Sequence, residues 1–236
     1  MTTQLIRTMR LSAAHKVPDW PEERGQRVHG HTYTIDLVLE GEPDEETGWL
    51  VDFGEIRRAF ESVAGELDHQ LVNEVPGLES GKRGAIADYV FKHLRPKLPL
   101  LKKVVVRVDS EQEYIPRPVA PNEYLDLPAR VAFSVQAAHH LPNCGQEHPC
   151  RRPHGHSYRI EVGAESIEGL DTKLEPIYDA LDHKYLNDVE GLANPTAENM
   201  AAWIWKRLDS TVDGLSVVVV RESPDCACVY RGDGRE

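Results

Sequence analysis

Two sets of three histidines are the residues of this chain best suited to chemistry, and they recur in the same arrangement in its two halves. The first set is His15, His29 and His31, and the second set is His139, His154 and His156. Each set ends in a His-Gly-His sequence, which on a β-strand places both imidazoles on one face because side chains alternate. A third histidine from a neighbouring strand completes three nitrogen ligands, the usual protein ligand set of a catalytic zinc with one open position. We therefore predict a zinc site in each half of a duplicated fold.

A cysteine accompanies the second histidine set. Cys150 lies four residues before His154 and next to Arg151 and Arg152. A thiol beside a dication and two guanidinium groups is expected to have a lowered pKa and to act as a thiolate nucleophile or base. Alternatively, it is a fourth zinc ligand that closes the site. The corresponding position in the first half is Gly25, so that copy lacks the reactive group.

An Asp-His pair also occurs in each half, as Asp68-His69 and as Asp182-His183. A carboxylate beside an imidazole can orient the ring and raise its basicity, which suits a proton relay. Such a dipeptide is often a solvated surface feature, but both copies share the pattern Leu-Asp-His-x-x-(Val or Leu)-Asn. We predict that one of the two pairs serves Cys150, and the sequence leaves open which one.

Glu222 follows four valines at the end of a strand. It could accept two hydrogen bonds from an amidine-like N–H pair of a heterocycle, or it could be an ordinary charge at a strand end. Its counterpart in the first half is predicted to be Asp109. Cys226 and Cys228 are interpreted as strand residues, because no second cysteine pair accompanies them.

The order of predicted elements repeats as well: strand, strand, helix, helix, strand. Residues 1–114 are predicted to form the first domain, the proline-rich segment 115–128 a linker, and residues 129–236 the second domain. Asp52 is a candidate N-cap for the helix that follows it. In the second copy Pro176 is a candidate helix start. This copy lacks eleven residues that correspond to the GWLVDFGEI region of the first.

Composition narrows the class of protein. The net charge of −12 argues against nucleic acid or an anionic membrane as a partner. No apolar run approaches the ~20 residues of a membrane span, and the first residues lack the apolar stretch of a signal peptide. We therefore expect a cytoplasmic protein, in which the four cysteines serve metal or catalytic roles rather than disulfides.

These sequences together resemble the 6-pyruvoyltetrahydropterin synthase superfamily, and within it the bacterial 6-carboxytetrahydropterin synthases of queuosine (7-deazapurine) biosynthesis. In the second half the resemblance is carried by AAHHLPNCGQEHPCRRPHGHSY, LDHKYLNDVEGLANPTAEN and RESPDCACVYRGD. In the first half it is carried by HGHTY, TGWLVDFGEIRRAF and LDHQLVNEVPGLE. It implies an α+β fold of two tandem tunnelling-fold (T-fold) domains, each an antiparallel four-stranded sheet with two helices on one face. It also implies a homo-oligomer in which several sheets form a barrel.

The resemblance implies a role for each candidate residue. His139, His154 and His156 would bind zinc, Cys150 would transfer a proton, and Glu222, Thr196 and Glu198 would bind the pterin. The relay would come from Asp182 and His183 or from Asp68 and His69, and Arg151, Arg152 and Lys184 would contact a triphosphate. The implied enzyme is a lyase that converts 7,8-dihydroneopterin triphosphate, a small-molecule substrate, to 6-carboxy-5,6,7,8-tetrahydropterin.

The first half departs from the family pattern. It has Gly25 in place of the cysteine, and ESGKRGA in place of NPTAEN. We therefore expect the site around His15, His29 and His31 to be a degenerate metal site with a structural or regulatory role. Two alternatives to the synthase remain: formation of the 6-pyruvoyl product or another cleavage of the pterin side chain, and a pterin- or metal-binding module without turnover.

Overall fold

The computed structural model describes residues 3–108 and 113–232, which form two α+β halves, each built on one antiparallel sheet. The first sheet has the order β1-β2-β3, formed by β1 (Thr3–His15), β2 (His29–Gly41) and β3 (Leu101–Val108). The second has the order β4-β5-β6-β7-β8, formed by β4 (Arg117–Val119), β5 (Arg130–His139), β6 (His154–Ala164), β7 (Leu215–Ser223) and β8 (Cys226–Tyr230). Asp109 lies outside the described residues.

Two helices of each half pack on one face of its sheet. They are α2 (Phe53–Leu67) and α3 (Arg83–Leu94) in the first half, and α4 (Leu170–Leu181) and α5 (Ala197–Leu208) in the second, while the short α1 (Glu23–Gln26) lies between β1 and β2. On β2 the alternate residues from Tyr33 to Leu39 are fully buried against α2 and α3. The residues of β6 from Tyr158 to Ala164 pack in the same way against α4 and α5. The α+β class with two tandem domains is thus confirmed.

The helix ends follow the sequence in one case and not in another. Asp52 is the N-cap of α2, and its side chain accepts a hydrogen bond from the backbone N–H of Gly54. Pro176 is not a helix start, because α4 begins six residues earlier, after Gly169 in a left-handed conformation. Pro176 therefore lies inside α4, where it removes one backbone hydrogen bond. No helix among the described residues is long and apolar enough to cross a membrane.

The number of strands differs from the four expected in each half. The described residues form three strands in the first half and five in the second. The extra strand is β4, which lies in the proline-rich segment 115–128 predicted as a linker and pairs with β5. Pro118 is compatible with this position because β4 is at the edge of the sheet, where one side of the strand has no pairing partner.

The two halves meet where their His-Gly-His sequences lie. A Cβ built on Gly30 would be 2.1 Å from the Cα of Gly155, and one built on Gly155 would be 2.2 Å from the Cα of Gly30. Next to this contact the backbone N–H of Thr32 donates to the Ser157 hydroxyl at 3.3 Å. Glycine is required at both positions because the two backbones approach more closely than any side chain allows.

We predict that Gly30→Ala lowers the free energy of unfolding by about 1–3 kcal/mol, because the new methyl group must push the two backbones apart. Chemical denaturation followed by circular dichroism measures this change. Gly65→Ala in α2 is the matched control, because a Cβ there meets nothing within 4 Å. That variant should be more stable by up to about 1 kcal/mol. Equal midpoints for Gly30→Ala and the unaltered chain would contradict the close contact.

Candidate metal and proton-transfer sites

The second histidine set lies at adjacent strand ends. His139 ends β5 and pairs directly with His154, which begins β6. His139 donates through Nδ1 to the carbonyl of Pro195 at 2.9 Å, and His154 donates through Nδ1 to the carbonyl of Arg152 at 2.8 Å. The two Nε2 atoms, which then carry lone pairs, are 3.0 Å apart. His156 contributes the third ring on the same strand face.

The first histidine set has the same geometry. His15 donates through Nδ1 to the carbonyl of Gly81 at 2.7 Å, and His29 donates to the carbonyl of Arg27 at 2.8 Å. Their Nε2 atoms are again 3.0 Å apart. His31 differs from its counterpart, because its Nδ1 donates to the side-chain oxygen of Gln136 in the second half at 2.9 Å.

Both sets fit a bound cation. Burial lowers the pKa of His15 and of His139 to about 4, so these imidazoles are neutral at pH 7 and available as ligands. Two Nε2 lone pairs 3.0 Å apart repel each other unless a cation lies between them. Neither ring nitrogen of buried His156 has a hydrogen-bond partner among the described residues. In the second set, a cation would be bound by Nε2 of His139, by Nε2 of His154 and by one ring nitrogen of His156.

The Asp-His pair beside the second histidine set comes from the first half of the chain. The ring centroids of His69 and His154 are 4.3 Å apart, and those of His69 and His156 are 6.2 Å apart. Arg152 donates through Nε to the carbonyl of His69 at 3.1 Å, which holds the pair against the second half. The structure thus brings Asp68-His69, rather than Asp182-His183, to the side of the chain that carries Cys150.

The other Asp-His pair lies beside the first histidine set. The ring centroids of His183 and His29 are 4.4 Å apart, and His183 lines the cavity in front of that set. Arg24 lies 3.8 Å from the carboxylate of Asp182. Each half therefore supplies three histidines to its own site and an Asp-His pair to the site of the other half.

Both pairs have the geometry of an oriented base. His69 donates through Nδ1 to Asp68 at 2.7 Å, and the second oxygen of Asp68 accepts from the backbone N–H of Ser12 at 2.7 Å. His69 has a φ of 55°, a left-handed conformation that few residues other than glycine adopt. His183 repeats this arrangement, with a φ of 52°. With Nδ1 bound, the lone pair on Nε2 faces the neighbouring histidine set.

Cys150 meets the relay of the first half. Its Sγ and ring nitrogens of His69 and His154 all lie within 4.8 Å of one another. The lowering of the thiol pKa by a neighbouring dication stays a prediction, but Arg151 is not placed to contribute to it. Arg151 donates to backbone carbonyls instead, and burial followed by the nearby carboxylate of Glu222 raises the pKa of Cys150 above its usual value. His69 is the base within reach of this thiol.

The three residues expected to bind the pterin come together. Thr196, Glu198 and Glu222 line a cavity of about 250 Å³, which we call the second cavity. One oxygen of Glu222 lies 3.4 Å from Nε2 of His139, so this carboxylate is at the boundary between the cavity and the histidines. Burial raises the pKa of Glu222 above its usual value. Cys226 and Cys228 line the wall of the cavity that β8 forms.

The sheet register corrects the expected counterpart of Glu222. Arg107 pairs with Thr34 as Arg221 pairs with Arg159, so Val108, not Asp109, occupies the position equivalent to Glu222. A shift of one residue along a strand moves a side chain to the other face, which the sequence alignment did not resolve. The first half therefore has an apolar residue where the second half has the carboxylate.

Sequence reasoning missed the side chains that distinguish the first site. Gln136 orients His31, and its position on β5 gave no signal of this contact because its partner lies in the other half. Trp20 covers the position of the missing thiol: a Cβ on Gly25 would lie 2.4 Å from the indole ring. Lys82 and Arg83 could have been found from the sequence, because they belong to the segment ESGKRGA, which departs from the family pattern NPTAEN.

Comparisons with known proteins agree with this architecture. The sequence profile of the family described as 6-pyruvoyl tetrahydropterin synthase matches residues 4–115 and again residues 129–233. The chain belongs to this family. The match covers both halves and places the chain among pterin lyases.

Individual relatives match one copy of the repeat. The 6-carboxy-5,6,7,8-tetrahydropterin synthase of Synechocystis sp. is 41% identical over 115 residues, which are 42% of this chain and 88% of that protein. The dihydroneopterin monophosphate aldolase of Pyrococcus furiosus is 30% identical over 101 residues, 42% of this chain and 81% of that protein. The solved structure of the Caenorhabditis elegans 6-pyruvoyl tetrahydropterin synthase covers 48% of this chain and 91% of its own, with 20% identity and a TM-score of 0.42.

We predict that each histidine set of this family member holds one zinc ion, giving about two per chain by elemental analysis. His156→Ala and His31→Ala should each reduce the content by one ion, because each removes one of three ligands from a separate site. His93→Ala is the control, since this exposed histidine donates to a carbonyl of its own helix and lies outside both sets. A zinc content unchanged by both site variants would contradict the assignment of the ligands.

Proposed function

We propose that this chain is a zinc-dependent 6-carboxy-5,6,7,8-tetrahydropterin synthase that acts on 7,8-dihydroneopterin triphosphate and one water molecule, releasing triphosphate and acetaldehyde. The observation that carries the proposal is the meeting of Cys150 with His69 beside His154, next to a cavity lined by Glu222. The relative from Synechocystis sp. bears this name, and it supports the choice of product.

The residues of the second cavity suit recognition of the pterin ring. The carboxylate of Glu222 can accept the paired N–H groups of the ring, and Glu198 is a second acceptor in the same cavity. The hydroxyl of Thr196 already accepts from the backbone N–H of Asn199, so it caps α5 and shapes the cavity. The substrate side chain then extends toward the histidines.

Zinc, held by His139, His154 and His156, would supply Lewis-acid polarisation of a side-chain oxygen. Cys150 and His69, which lie beside His154, would exchange protons with the carbons next to that oxygen. His69 takes the proton of the thiol through Nε2, and Asp68 stabilises the resulting imidazolium through Nδ1. The thiolate then exchanges protons with the substrate.

The expected triphosphate contacts find less support. Arg151 is bound to the carbonyls of Pro142 and Cys144, and Arg152 is bound to the carbonyl of His69, so both hold the loop of Cys150 in place. Lys184 lines a separate cavity between the halves together with Asp179 and Asp188, which do not favour an anion there. We therefore assign structural roles to the two arginines.

Placement in queuosine biosynthesis and assembly into a homo-oligomeric barrel stay predictions that accompany the proposed reaction. In the described part of the chain β1 and β3 are edge strands of the first sheet, and β8 is an edge strand of the second. Edge strands present unpaired backbone groups, so they offer places where copies of the chain can join.

We predict that the zinc-loaded protein converts 7,8-dihydroneopterin triphosphate to 6-carboxytetrahydropterin and acetaldehyde, identified by mass spectrometry. Cys150→Ala should abolish this product because it removes the proton-transferring thiol. Cys144→Ala is the matched control, since this thiol donates to the carbonyl of Leu141 and should be dispensable. Substrate left intact by zinc-loaded protein would instead favour a binding module without turnover.

We predict that His69→Ala lowers kcat by about 10²–10⁴-fold, the usual contribution of a positioned acid or base. His183→Ala should change kcat by less than about tenfold, because it removes the same group from the site that has no thiol. Steady-state kinetics of both variants provide the measurement. The reverse order of effects would contradict a relay in which His69 of the first half serves Cys150 of the second.

One alternative reaction is favoured by a specific observation, the similarity to an aldolase that acts on dihydroneopterin monophosphate. An aldolase cleaves the side chain between its first two carbons and leaves a hydroxymethyl substituent on the pterin. The same mass-spectrometric assay distinguishes this product from the carboxylate.

A further inference from the structure

The cavity in front of the first histidine set differs in charge from the second cavity. It has a volume of about 520 Å³, and we call it the first cavity. Four cationic residues and no carboxylate line it: Arg24, Lys82, Arg83 and Lys103. The second cavity is lined by two carboxylates and no cation. Two copies of one fold have therefore acquired cavities of opposite charge.

The difference in charge between the two cavities arises at positions that are equivalent in the two halves. Because α3 begins at Arg83 and α5 begins at Ala197, Lys82 and Gly84 stand where Thr196 and Glu198 stand in the second half. The carbonyls that accept from His15 and His139, those of the residues preceding Lys82 and Thr196, confirm this match. With Val108 in place of Glu222, both carboxylates of the second cavity are absent from the first.

The first cavity has also lost the thiol and gained an aromatic wall. Trp20 packs over Gly25, at the position equivalent to Cys150, and its indole lines the cavity together with Val17 and Val106. A cysteine could not be accommodated at position 25 without displacing this ring. The first cavity therefore keeps the base His183 but has no thiol with which that base could exchange a proton.

We propose that the first cavity is a non-catalytic binding site for a phosphorylated small molecule. Two of its cationic residues, Lys82 and Arg83, lie at the start of α3, where Lys82 makes no side-chain cap and no acidic residue occurs. The free N–H groups of such a turn bind phosphate. Arg83 makes no ion pair with any residue in ranges 3–108 and 113–232, while Lys82 pairs with Asp19 at 2.5 Å. Arg83 is thus the side chain available to the anion.

The histidines add to the positive charge of the cavity when they hold a metal. His31 is 5% exposed and lines the cavity, and because its Nδ1 is bound to Gln136, its Nε2 is left for the cation predicted at this set. A phosphate at the start of α3 would lie near these imidazoles and any cation they hold. The binding site does not depend on the proposed synthase reaction, because none of its residues belongs to the second cavity.

Isothermal titration of the full-length, zinc-loaded protein with inorganic tripolyphosphate tests the proposal. We expect saturable binding that Arg83→Ala weakens by about 10- to 100-fold, the usual effect of losing a charged hydrogen-bond donor. Arg95→Ala is the matched control, since it removes the same charge at the C-terminal end of α3 and should bind normally. Binding that is absent, or equally tight in both variants, overturns the proposal.

A second pair of variants tests the charge at the start of α3: one adds a carboxylate, and the other adds a neutral side chain of similar size. A Cβ on Gly84 meets nothing within 4 Å, so a side chain can start there without a clash, and Gly84→Glu and Gly84→Gln have nearly the same size. Gly84→Glu restores the carboxylate of the second half and should abolish tripolyphosphate binding, whereas Gly84→Gln should retain it. Equal affinity in these two variants also overturns the proposal, whatever the outcome of the turnover assay.

Two further titrations distinguish the source of the phosphate. Phenyl phosphate that binds more tightly than inorganic phosphate would identify an organic phosphate ester whose ring contacts Trp20. Tripolyphosphate binding with no gain from the phenyl ring would identify free polyphosphate. Either result supports the site, provided that Arg83→Ala weakens the binding, and insensitivity of all probes to Arg83→Ala rejects it.

Discussion

The backbone contact between Gly30 and Gly155 is the constraint on which both sites depend. Each glycine lies between the two histidines of its His-Gly-His sequence, and a Cβ on either one would lie within 2.2 Å of the Cα of the other. Because the strands meet this closely, the histidines of each half face the Asp-His pair of the opposite half at ring distances near 4.3–4.4 Å. Neither half alone contains a complete site.

The Asp-His pairs are held in place by the strands of their own half and used by the other. The carboxylates of Asp68 and Asp182 accept from backbone N–H groups of β1 and β5, at Ser12 and Gln136. These anchors hold the following histidine in a left-handed backbone conformation, which costs about 1–3 kcal/mol and persists only where its surroundings determine it. Such strain is consistent with a histidine whose ring direction is needed for proton transfer, even though the conformation lowers the stability of the fold.

The two halves share the geometry of the strands and histidines but differ in the side chains that line their cavities. The histidine geometry is the same in both sites, with Nε2 atoms 3.0 Å apart. Around it, Cys150 corresponds to Gly25 under Trp20, and the carboxylates of the second cavity correspond to Val108 and Gly84. The two roles that we propose, proton transfer in one half and anion binding in the other, therefore depend on these differing side chains and not on the shared strands.

The sequence by itself determined the duplication, the two histidine sets, the N-cap at Asp52 and the absence of a thiol at Gly25, because each depends on residue type and local spacing. It misplaced the counterpart of Glu222 by one residue and treated residues 117–119 as linker, because strand register and pairing are set by partners distant in the chain. Only the tertiary structure decided that Asp68-His69 reaches Cys150, since that contact forms across the interface between the halves. No local pattern records which half a side chain will face.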